Sequence, residues 1–268
     1  MVFKVLGIIL LITAGILAFV RSQGLNKLSS LAKARPTNAG EIKDTVAAIA
    51  EEIGQGNWRD YVQVWGDITC GEPLISPLAE ERCVYYEMKV THEYDQTITK
   101  QDSDGKTIRT TESRSDIISQ NQRSIPFELR DQTGTVLVNP EHADIAKIKS
   151  MDEFRPGLST EGLIRMGTFS LALGNTMINP IGDRRTKGYR YQEWIFPIGR
   201  KALVVGQISD ETGTPTLTQP TAKENKYLIS LNTKEELLAK ESRTVKNTTT
   251  AAIFTGALGL ILLVIGFL

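Results

Sequence analysis

Residues 83–94 of the chain read CVYYEMKVTHEY. Large apolar or aromatic side chains occupy every second position from Val84 to Val90, and Tyr94 keeps the same phase. Because successive side chains of a β-strand point to opposite faces of a sheet, this period of two predicts a strand with one buried face. The segment therefore predicts that the middle of the chain is a β-rich domain.

The same period of two recurs on both sides of this segment, at Val62, Val64 and Ile68; Ile125, Phe127 and Leu129; Val136 and Val138; and Trp194, Phe196 and Ile198. Most connections between these segments are too short for the crossover helices that parallel strands require. We therefore predict an antiparallel β-rich domain over residues 58–232. For the segment 160–176, in contrast, we predict a helix.

A short internal repeat indicates that this domain contains two similar β-units. Residues 64–68 (VWGDI) resemble residues 204–208 (VVGQI), and residues 131–135 (DQTGT) resemble residues 210–214 (DETGT). Aspartate at the first position and glycine at the fourth are typical of a type I turn. An aspartic protease is disfavoured, because its loop has the aspartate directly before Thr-Gly, and here a Gln or Glu intervenes.

The stretch from Asp95 to Arg114 is long and polar. The pair Asp104-Gly105 near its centre is a strong signal for a tight hairpin turn. We predict a protruding hairpin and take its tip as the candidate element that recognises a partner: Asp102, Asp104, Gly105 and Lys106.

Two helices are predicted at the borders of the β-rich domain. Ile42, Val46, Ile49 and Ile53 follow helical spacing, and Gly54 ends the segment. We expect this helix to pack on the β-domain, since the acidic residues on its polar face disfavour the alternative of a membrane-surface helix. Residues 233–236 (TKEE) form a capping box that starts a second helix, which we expect to continue into the C-terminal apolar segment.

Both ends of the chain are apolar enough to cross a membrane. Residues 248–268 carry no charge, and residues 1–20 carry only Lys4, which lies close enough to the helix end to reach the interface. A cleavable signal peptide is the alternative for the first segment, but residues 19–23 (FVRSQ) offer no small-x-small cleavage site, so a retained anchor is favoured. A buried core helix is the alternative for the second; it is disfavoured because no polar residue follows Leu268.

We therefore predict an α+β protein in which two transmembrane helices flank a β-rich antiparallel domain. Its parts are a transmembrane helix at 1–20, a polar linker and amphipathic helix at 21–57, the β-domain at 58–232, a juxtamembrane helix at 233–247 and a transmembrane helix at 248–268. Basic residues follow the first span and precede the second. The positive-inside rule then predicts that residues 21–247 lie in the cytoplasm.

Composition and motifs exclude several function classes. The 268 residues carry 31 basic and 31 acidic side chains, so there is no basic excess for binding nucleic acid. The chain has only two Cys and two His, without a CxxC or HExxH motif. It also lacks the GxSxG, GxxxxGK[ST] and GxGxxG motifs. We therefore predict no catalytic residue, no cofactor and no metal site.

Two smaller groups of residues remain as candidates. Cys70 and Cys83 would form a disulfide in an oxidising compartment, or stay as buried thiols on the cytoplasmic side. The basic cluster of Arg184, Arg185 and Lys187 is a candidate contact for lipid headgroups, with a solvated loop as the alternative.

The order of several motifs resembles the GIDE-type (MULAN-like) family of E3 ubiquitin ligases over most of residues 58–268. These motifs are GDI at 66–68, PLISPL at 73–78, CVYY at 83–86, PFEL at 126–129, EWIFPIG at 193–199 and VVGQI at 204–208. The resemblance implies a β-rich domain between two spans, followed in the ligases by a cytosolic RING that recruits the ubiquitin-charged E2. A two-zinc RING needs eight Cys or His ligands, so we expect a member that lacks the RING. In the ligases, the β-rich domain lies on the opposite side of the membrane from the cytosolic RING. The flanking charges of this chain predict the cytoplasmic side instead.

The leading hypothesis is a non-enzymatic protein of a bacterial or organellar membrane that presents an interaction domain next to the bilayer. Membrane lipid and an unidentified protein are the expected partners. One alternative is a component of a GIDE-type ubiquitin or ubiquitin-like ligase whose RING is on another chain. The other alternative is a membrane-bound hydrolase with an unrecognised site.

Overall fold

The computed structural model describes residues 2–54, 56, 58–101, 106–157, 162–173, 184–211 and 213–267, and the side chains of these residues except Ile53. The α+β, β-rich fold with a long apolar helix at each end is confirmed in these ranges. Their elements are α1 (Val2–Lys33), β1 (Arg35–Pro36), α2 (Ala39–Ile53), β2 (Arg59–Thr69), β3 (Leu74–Ile75), β4 (Arg82–Gln101), β5 (Thr107–Ser124), β6 (Phe127–Arg130), β7 (Thr135–Val138), β8 (Asp144–Ala146), β9 (Ile148–Pro156), β10 (Leu163–Met166), β11 (Phe169–Ala172), β12 (Arg184–Pro197), β13 (Lys201–Ser209), β14 (Thr216–Thr218), β15 (Leu228–Ser230) and α3 (Lys234–Phe267).

The chain divides into two compact units. The first comprises Met1–Ile68, Glu128–Ile145 and Arg200–Leu268, and the second comprises Thr69–Phe127 and Ala146–Gly199. Each unit therefore draws on segments that lie far apart in the sequence.

The sheet of the first unit closes on itself. Its described strands follow the order β1-β2-β6-β7-β14-β13-β15-β8, and β13 also pairs with β2. This extra pairing turns the path β2-β6-β7-β14-β13 into a small barrel, which removes the open edges that a flat sheet would expose. Val62 and Val64 of β2 and Val204 and Ile208 of β13 are almost fully buried, as their alternating pattern predicts.

Both copies of the internal repeat lie in this first unit. Val64 of β2 stands opposite Val204 of β13 in an antiparallel pair, so the two similar strands are direct neighbours. The two Asp-x-Thr-Gly turns serve different structural roles. Asp131 accepts hydrogen bonds from the backbone N–H groups of Thr133, Gly134 and Ala39, the last at the start of α2. Asp210 accepts instead from the N–H groups that precede β2, at Gly56 and Trp58.

The sheet of the second unit has β12 at its centre, paired with β4 on one side and β9 on the other. The predicted buried face of β12 is correct at Phe196, which is 1% exposed, but wrong in phase before it. Tyr189, Tyr191, Glu193 and Ile195 are buried in alternation, whereas Trp194 is only partly buried. The charged Glu193 interrupts the apolar series, which is why the sequence pattern pointed to the other face.

The helix predicted for residues 160–176 is also wrong where the structure describes this segment. Residues 162–173 form the antiparallel hairpin β10–β11, in which Met166 stands opposite Phe169. Gly167 occupies its turn with φ +55, and the N–H of Phe169 donates to the Pro77 carbonyl at 3.2 Å. Ile164 and Met166 pack against the buried face of the sheet, so tertiary burial decides the conformation of this short apolar segment.

Each helix predicted at the borders of the β-domain is present. Asn38 caps α2 by accepting from the Glu41 N–H at 2.9 Å, and Ile42 is 1% exposed. Thr233 and Glu236 form the predicted capping box, with reciprocal bonds of 3.0 and 3.3 Å. From this cap, α3 runs unbroken into the C-terminal apolar segment.

The long helices α1 and α3 pack antiparallel to each other. Near one end Lys4 Nζ lies 4.0 Å from the centroid of the Phe267 ring, and further along Arg21 Nε donates to Thr249 Oγ1 at 2.9 Å. Gly7 lies directly against Gly259: a Cβ added at Gly7 would come within 2.9 Å of the Gly259 carbonyl oxygen. Small residues thus let the two backbones approach closely, although the chain has no GxxxG motif.

The inner ends of both helices pack on the barrel. Leu31 of α1 and Leu237 of α3 join one apolar cluster with three residues of the sheet, Leu203, Val205 and Leu228. Polar bonds reinforce this cluster: Ser30 Oγ accepts from the Lys226 N–H at 3.0 Å, and Gln63 Nε2 donates to the Ala34 carbonyl at 2.8 Å. We call this contact between the helix pair and the barrel the junction.

We expect G7L to destabilise the helix pair by about 1–3 kcal/mol, because the new side chain would collide with the α3 backbone. Thermal unfolding of the purified chain in detergent measures the effect. The matched control is G15L, since a Cβ at Gly15 has no neighbour within 4 Å. Equal unfolding temperatures for the two variants would contradict this packing.

Candidate functional site

The acidic and sulfur-containing side chains of the described residues serve structural roles. Among the described residues, no three or more His, Cys, Asp or Glu side chains cluster as a set of metal ligands would. Burial alone would raise the pKa of Asp131, but hydrogen bonds from Thr133, Ala39 and Gly134 hold it below its ordinary value. This carboxylate therefore stabilises a turn and the start of α2.

Both cysteines are free thiols in the structure. Cys83 is fully buried against Tyr86 and Ile195. Burial, together with the nearby Glu193 carboxylate, raises the pKa of the Cys83 thiol to about 12. Since the thiolate is the reactive form, Cys83 is a packing residue rather than a nucleophile. Cys70 is half-buried.

The most buried charge in the second unit is Glu193, which sequence analysis did not single out. Its side chain is 0% exposed and accepts four hydrogen bonds, all from residues 76–79 or from Ser150. The Leu78 and Ala79 N–H groups donate at 2.7 and 2.9 Å, and Ser76 Oγ donates at 2.8 Å. The carboxylate thus fixes residues 76–79 onto β12. A signal for its burial was present in the sequence: Glu193 lies on the same face of β12 as Tyr189 and Tyr191, which are both buried.

His92 is held between aromatic rings of the same unit. Its ring stacks on Tyr94 and Tyr189 at centroid distances of 5.1 and 5.2 Å, and Nε2 lies 2.9 Å from Thr186 Oγ1. Burial lowers the pKa of His92; the Asp116 charge acts in the opposite direction and the Arg184 charge in the same one. His92 is therefore a packed structural group.

The predicted hairpin is formed by β4 and β5. Its pairing runs from Tyr85 opposite Ser124 to Gln101 opposite Thr107. The pairing of β4 with β12 is described as far as Gln96. Beyond it, residues 97–101 of β4 pair with residues 107–111 of β5, and we call this pair of strand segments the hairpin arm. Three residues of the predicted tip, Asp102, Asp104 and Gly105, lie outside the described residues. Lys106 lies at the base of the tip and is exposed.

The two faces of the hairpin arm differ in chemistry. One face has the exposed Ile108, and Lys100 forms an ion pair with Glu112 there at 2.8 Å. The opposite face is rich in threonine, and Thr97 and Thr111 lie within hydrogen-bond distance across the strands at 3.4 Å. Among the described strands, β5 pairs only with β4, so its outer edge leaves backbone N–H and C=O groups open.

The predicted basic cluster lies at the start of β12, beside the hairpin. Arg184 pairs with Asp116 at 3.8 Å and lies over the Tyr94 ring, while Lys187 pairs with Asp95 at 3.8 Å. Two of its three cations therefore have acidic partners within the protein. Contact between Arg184, Arg185 or Lys187 and lipid headgroups stays a prediction.

The helix pair has the dimensions of a membrane hairpin. In the described part of the chain, α1 and α3 are two helices long and apolar enough to cross a bilayer. Residues 2–20 of α1 measure about 28 Å, close to the thickness of the hydrocarbon core. The Arg21–Thr249 hydrogen bond places the end of the first predicted span next to the start of the second. The boundaries of the two spans within these helices stay predictions.

A β-rich domain joined to a pair of apolar helices, each long enough to cross a bilayer, fits a membrane protein. The family described as GIDE, E3 ubiquitin ligase, matches residues 95–266, well over half of the chain. The chain belongs to the GIDE family. The match begins within β4 and ends within α3, so the PLISPL and CVYY motifs precede it. No curated protein and no solved structure matched the chain.

We expect E193Q to lower the free energy of unfolding by about 1–3 kcal/mol, because an amide NH₂ would face backbone or hydroxyl donors in a buried site. Urea unfolding, followed by the fluorescence of the nearby Trp194, measures this change. E153Q is the matched control, because the Glu153 side chain is 45% exposed and pairs with Arg155 at the surface. A loss no larger than that of the control would show that the Glu193 bonds contribute little.

Proposed function

We propose that this GIDE-family chain is a non-catalytic membrane protein that holds its barrel close to the bilayer and binds a protein partner through the hairpin arm. The hairpin arm is the observation that carries the proposal. Within the described residues, it is a pair of strand segments in which β5 has no strand partner besides β4, and it lies outside the buried clusters of the second unit.

The junction supports the first half of this proposal. Thirteen residues of α1 follow Val20 before the helix ends, a length of about 20 Å, and the barrel packs on this part at Leu31. A barrel fixed in this way to both helices cannot move far from the membrane surface. It therefore works as a rigid platform rather than as a domain on a flexible tether.

The chemistry of the hairpin arm supports the second half. An open strand edge can accept an extended segment of another protein as an additional strand. Main-chain hydrogen bonds would supply affinity, and the exposed Ile108 beside the Lys100–Glu112 pair would add side-chain specificity. The partner that fits is a protein with an extended, partly apolar segment.

Shortening the hairpin arm should abolish partner binding while the rest of the protein stays folded. Thr97 stands opposite Thr111, so replacing residues 98–110 by Asn-Gly closes the ladder with a two-residue turn. The measurement is photo-crosslinking in native membranes from a reactive residue at position 108. We expect a discrete adduct that an excess of unlabelled full chain competes away and the shortened chain does not.

The matched control places the same crosslinker at Ile75, an exposed isoleucine of the same unit. An adduct from position 108 but not from position 75 supports the hairpin arm as the binding element. The same adduct from both positions, or competition by the shortened chain, would refute it. The unfolding temperature of the shortened chain shows whether its fold is intact.

A component of a ubiquitin-type ligase is the second candidate, and the description of the matching family favours it. In this case the partner on the hairpin arm would carry the RING. Purified chain and crosslinked partner together would then accelerate ubiquitin discharge from a charged E2, whereas the chain alone would not.

We further propose that residues 21–247 face the cytoplasm, following the flanking basic residues. An R109C variant in a C70S background presents a reactive thiol on the exposed hairpin arm, because the remaining Cys83 is buried. A membrane-impermeant maleimide should label this thiol only after intact cells are permeabilised. Labelling of intact cells would place the domain on the opposite side.

A further inference from the structure

The structure assigns an anion-binding cleft beside the inner end of the first span, and we propose that it binds the phosphate of an anionic phospholipid. The cleft has a volume of about 510 Å³. Its walls come from α1, from β8 with the turn before it, and from the loop between β14 and β15. We call it the lysine cleft, after the residues that carry its chemistry: Gln23, Lys27, His142, Asp144, Lys223 and Lys226.

The position of the lysine cleft relative to the bilayer follows from its place along α1. Arg21 marks the inner end of the apolar helix pair through its bond to Thr249. With a rise of about 1.5 Å per residue, Gln23 lies about 3 Å beyond this boundary and Lys27 about 9 Å beyond it. The headgroup layer of a bilayer is roughly 5–8 Å thick on each side. The α1 wall of the lysine cleft therefore lies within or at the edge of the headgroup layer.

The charge of the lysine cleft favours an anion. Lys27 Nζ pairs with Asp144 Oδ2 at 2.8 Å, which cancels one positive charge. Within the part of the chain that the structure describes, Lys223 and Lys226 form no ion pair, so two of the three lysines that line the cleft keep their charge without an acidic partner. Each lysine near a membrane surface adds attraction for anionic lipid.

The backbone of the cleft is held in place before any ligand binds. The Lys226 N–H donates to Ser30 Oγ at 3.0 Å, and its carbonyl accepts from the Tyr61 hydroxyl at 2.7 Å. The neighbouring Tyr227 hydroxyl is buried and donates within reach of two carbonyls, those of Asn139 at 2.6 Å and Leu217 at 3.0 Å. These bonds connect the loop to both α1 and the sheet, so little conformational entropy is lost on binding.

These observations favour a phospholipid over a soluble phosphate ester. Both share the same phosphate chemistry, but a lipid is supplied at the level of Gln23 and Lys27 by the membrane itself. The inference rests on the proposed function only in requiring that the helix pair be inserted in a bilayer, and it does not involve the hairpin arm. Lipid bound here would contact α1 and the barrel at the same time.

The test is native mass spectrometry of the full chain in neutral detergent, titrated with phosphatidylglycerol or phosphatidylcholine. K223Q/K226Q should weaken phosphatidylglycerol binding about tenfold or more, because two unpaired cations are lost. D144N should strengthen it, since the negative charge in the cleft is removed. A gain of affinity at an unchanged unfolding temperature keeps the test valid if the double variant is unstable.

K240Q/K246Q is the matched control, with the same change of charge on the exposed, membrane-proximal part of α3. Retained binding by this control, with loss in K223Q/K226Q, supports the lysine cleft. An equal loss of phosphatidylglycerol binding in both double variants would show general electrostatic attraction and overturn the site. Unchanged binding in K223Q/K226Q, or weaker binding in D144N, would also overturn it. Displacement of the lipid by an excess of inorganic phosphate would assign the cleft to a soluble phosphate instead. The shortened hairpin variant should bind lipid normally, so failure at the hairpin arm and failure at the lysine cleft give different results.

Discussion

The packing of Leu31 and Leu237 on the barrel is the constraint on which the architecture of the first unit depends. Each of these leucines comes from a different long helix, and both are buried in one cluster with Leu203, Val205 and Leu228. Full burial of one leucine stabilises a fold by about 1.5–3 kcal/mol relative to exposure. Without this cluster, the long helices and the barrel would be connected only through the chain. With it, the two long helices set the position and orientation of the barrel.

The junction and the lysine cleft share a hydrogen bond. Ser30 lies next to Leu31 in α1, and its hydroxyl holds the backbone of Lys226. The contact that docks the barrel therefore also fixes one wall of the cleft. This arrangement offers a physical route by which lipid at the headgroup level would reinforce the docking of the barrel, because a ligand that binds only the docked state stabilises that state.

The second unit depends on a different kind of interaction. Glu193 is a charged residue at the centre of its sheet, and a buried carboxylate is tolerated only when its oxygens are hydrogen-bonded. Ser76, Leu78 and Ala79 supply three of those bonds, so the segment after β3 is held against the sheet. The hairpin arm extends from this rigid sheet, so its position within the unit is defined although its own faces are open.

Much of the architecture could be read from residue patterns because those patterns reflect local geometry. The alternation of Val84, Tyr86, Met88 and Val90 marks a strand, and two long apolar segments meet the length that a bilayer requires. The capping box at Thr233 and the hairpin between Asp95 and Arg114 are likewise local signals. The family match over residues 95–266 agrees with the resemblance that the motifs carried.

The sequence by itself determined which segments are apolar helices, which alternate as strands and where a turn must occur, because each of these features depends on neighbours within a few residues. Only the tertiary structure decided that residues 163–172 are a hairpin, since the burial of Ile164 and Met166 outweighs local preference. It also decided the buried face of β12, because the bonds that make Glu193 acceptable come from residues more than a hundred positions away. The lysine cleft is of the same kind: Lys27 and Lys226 meet at one site because α1 packs on the barrel, and no local pattern encodes that contact.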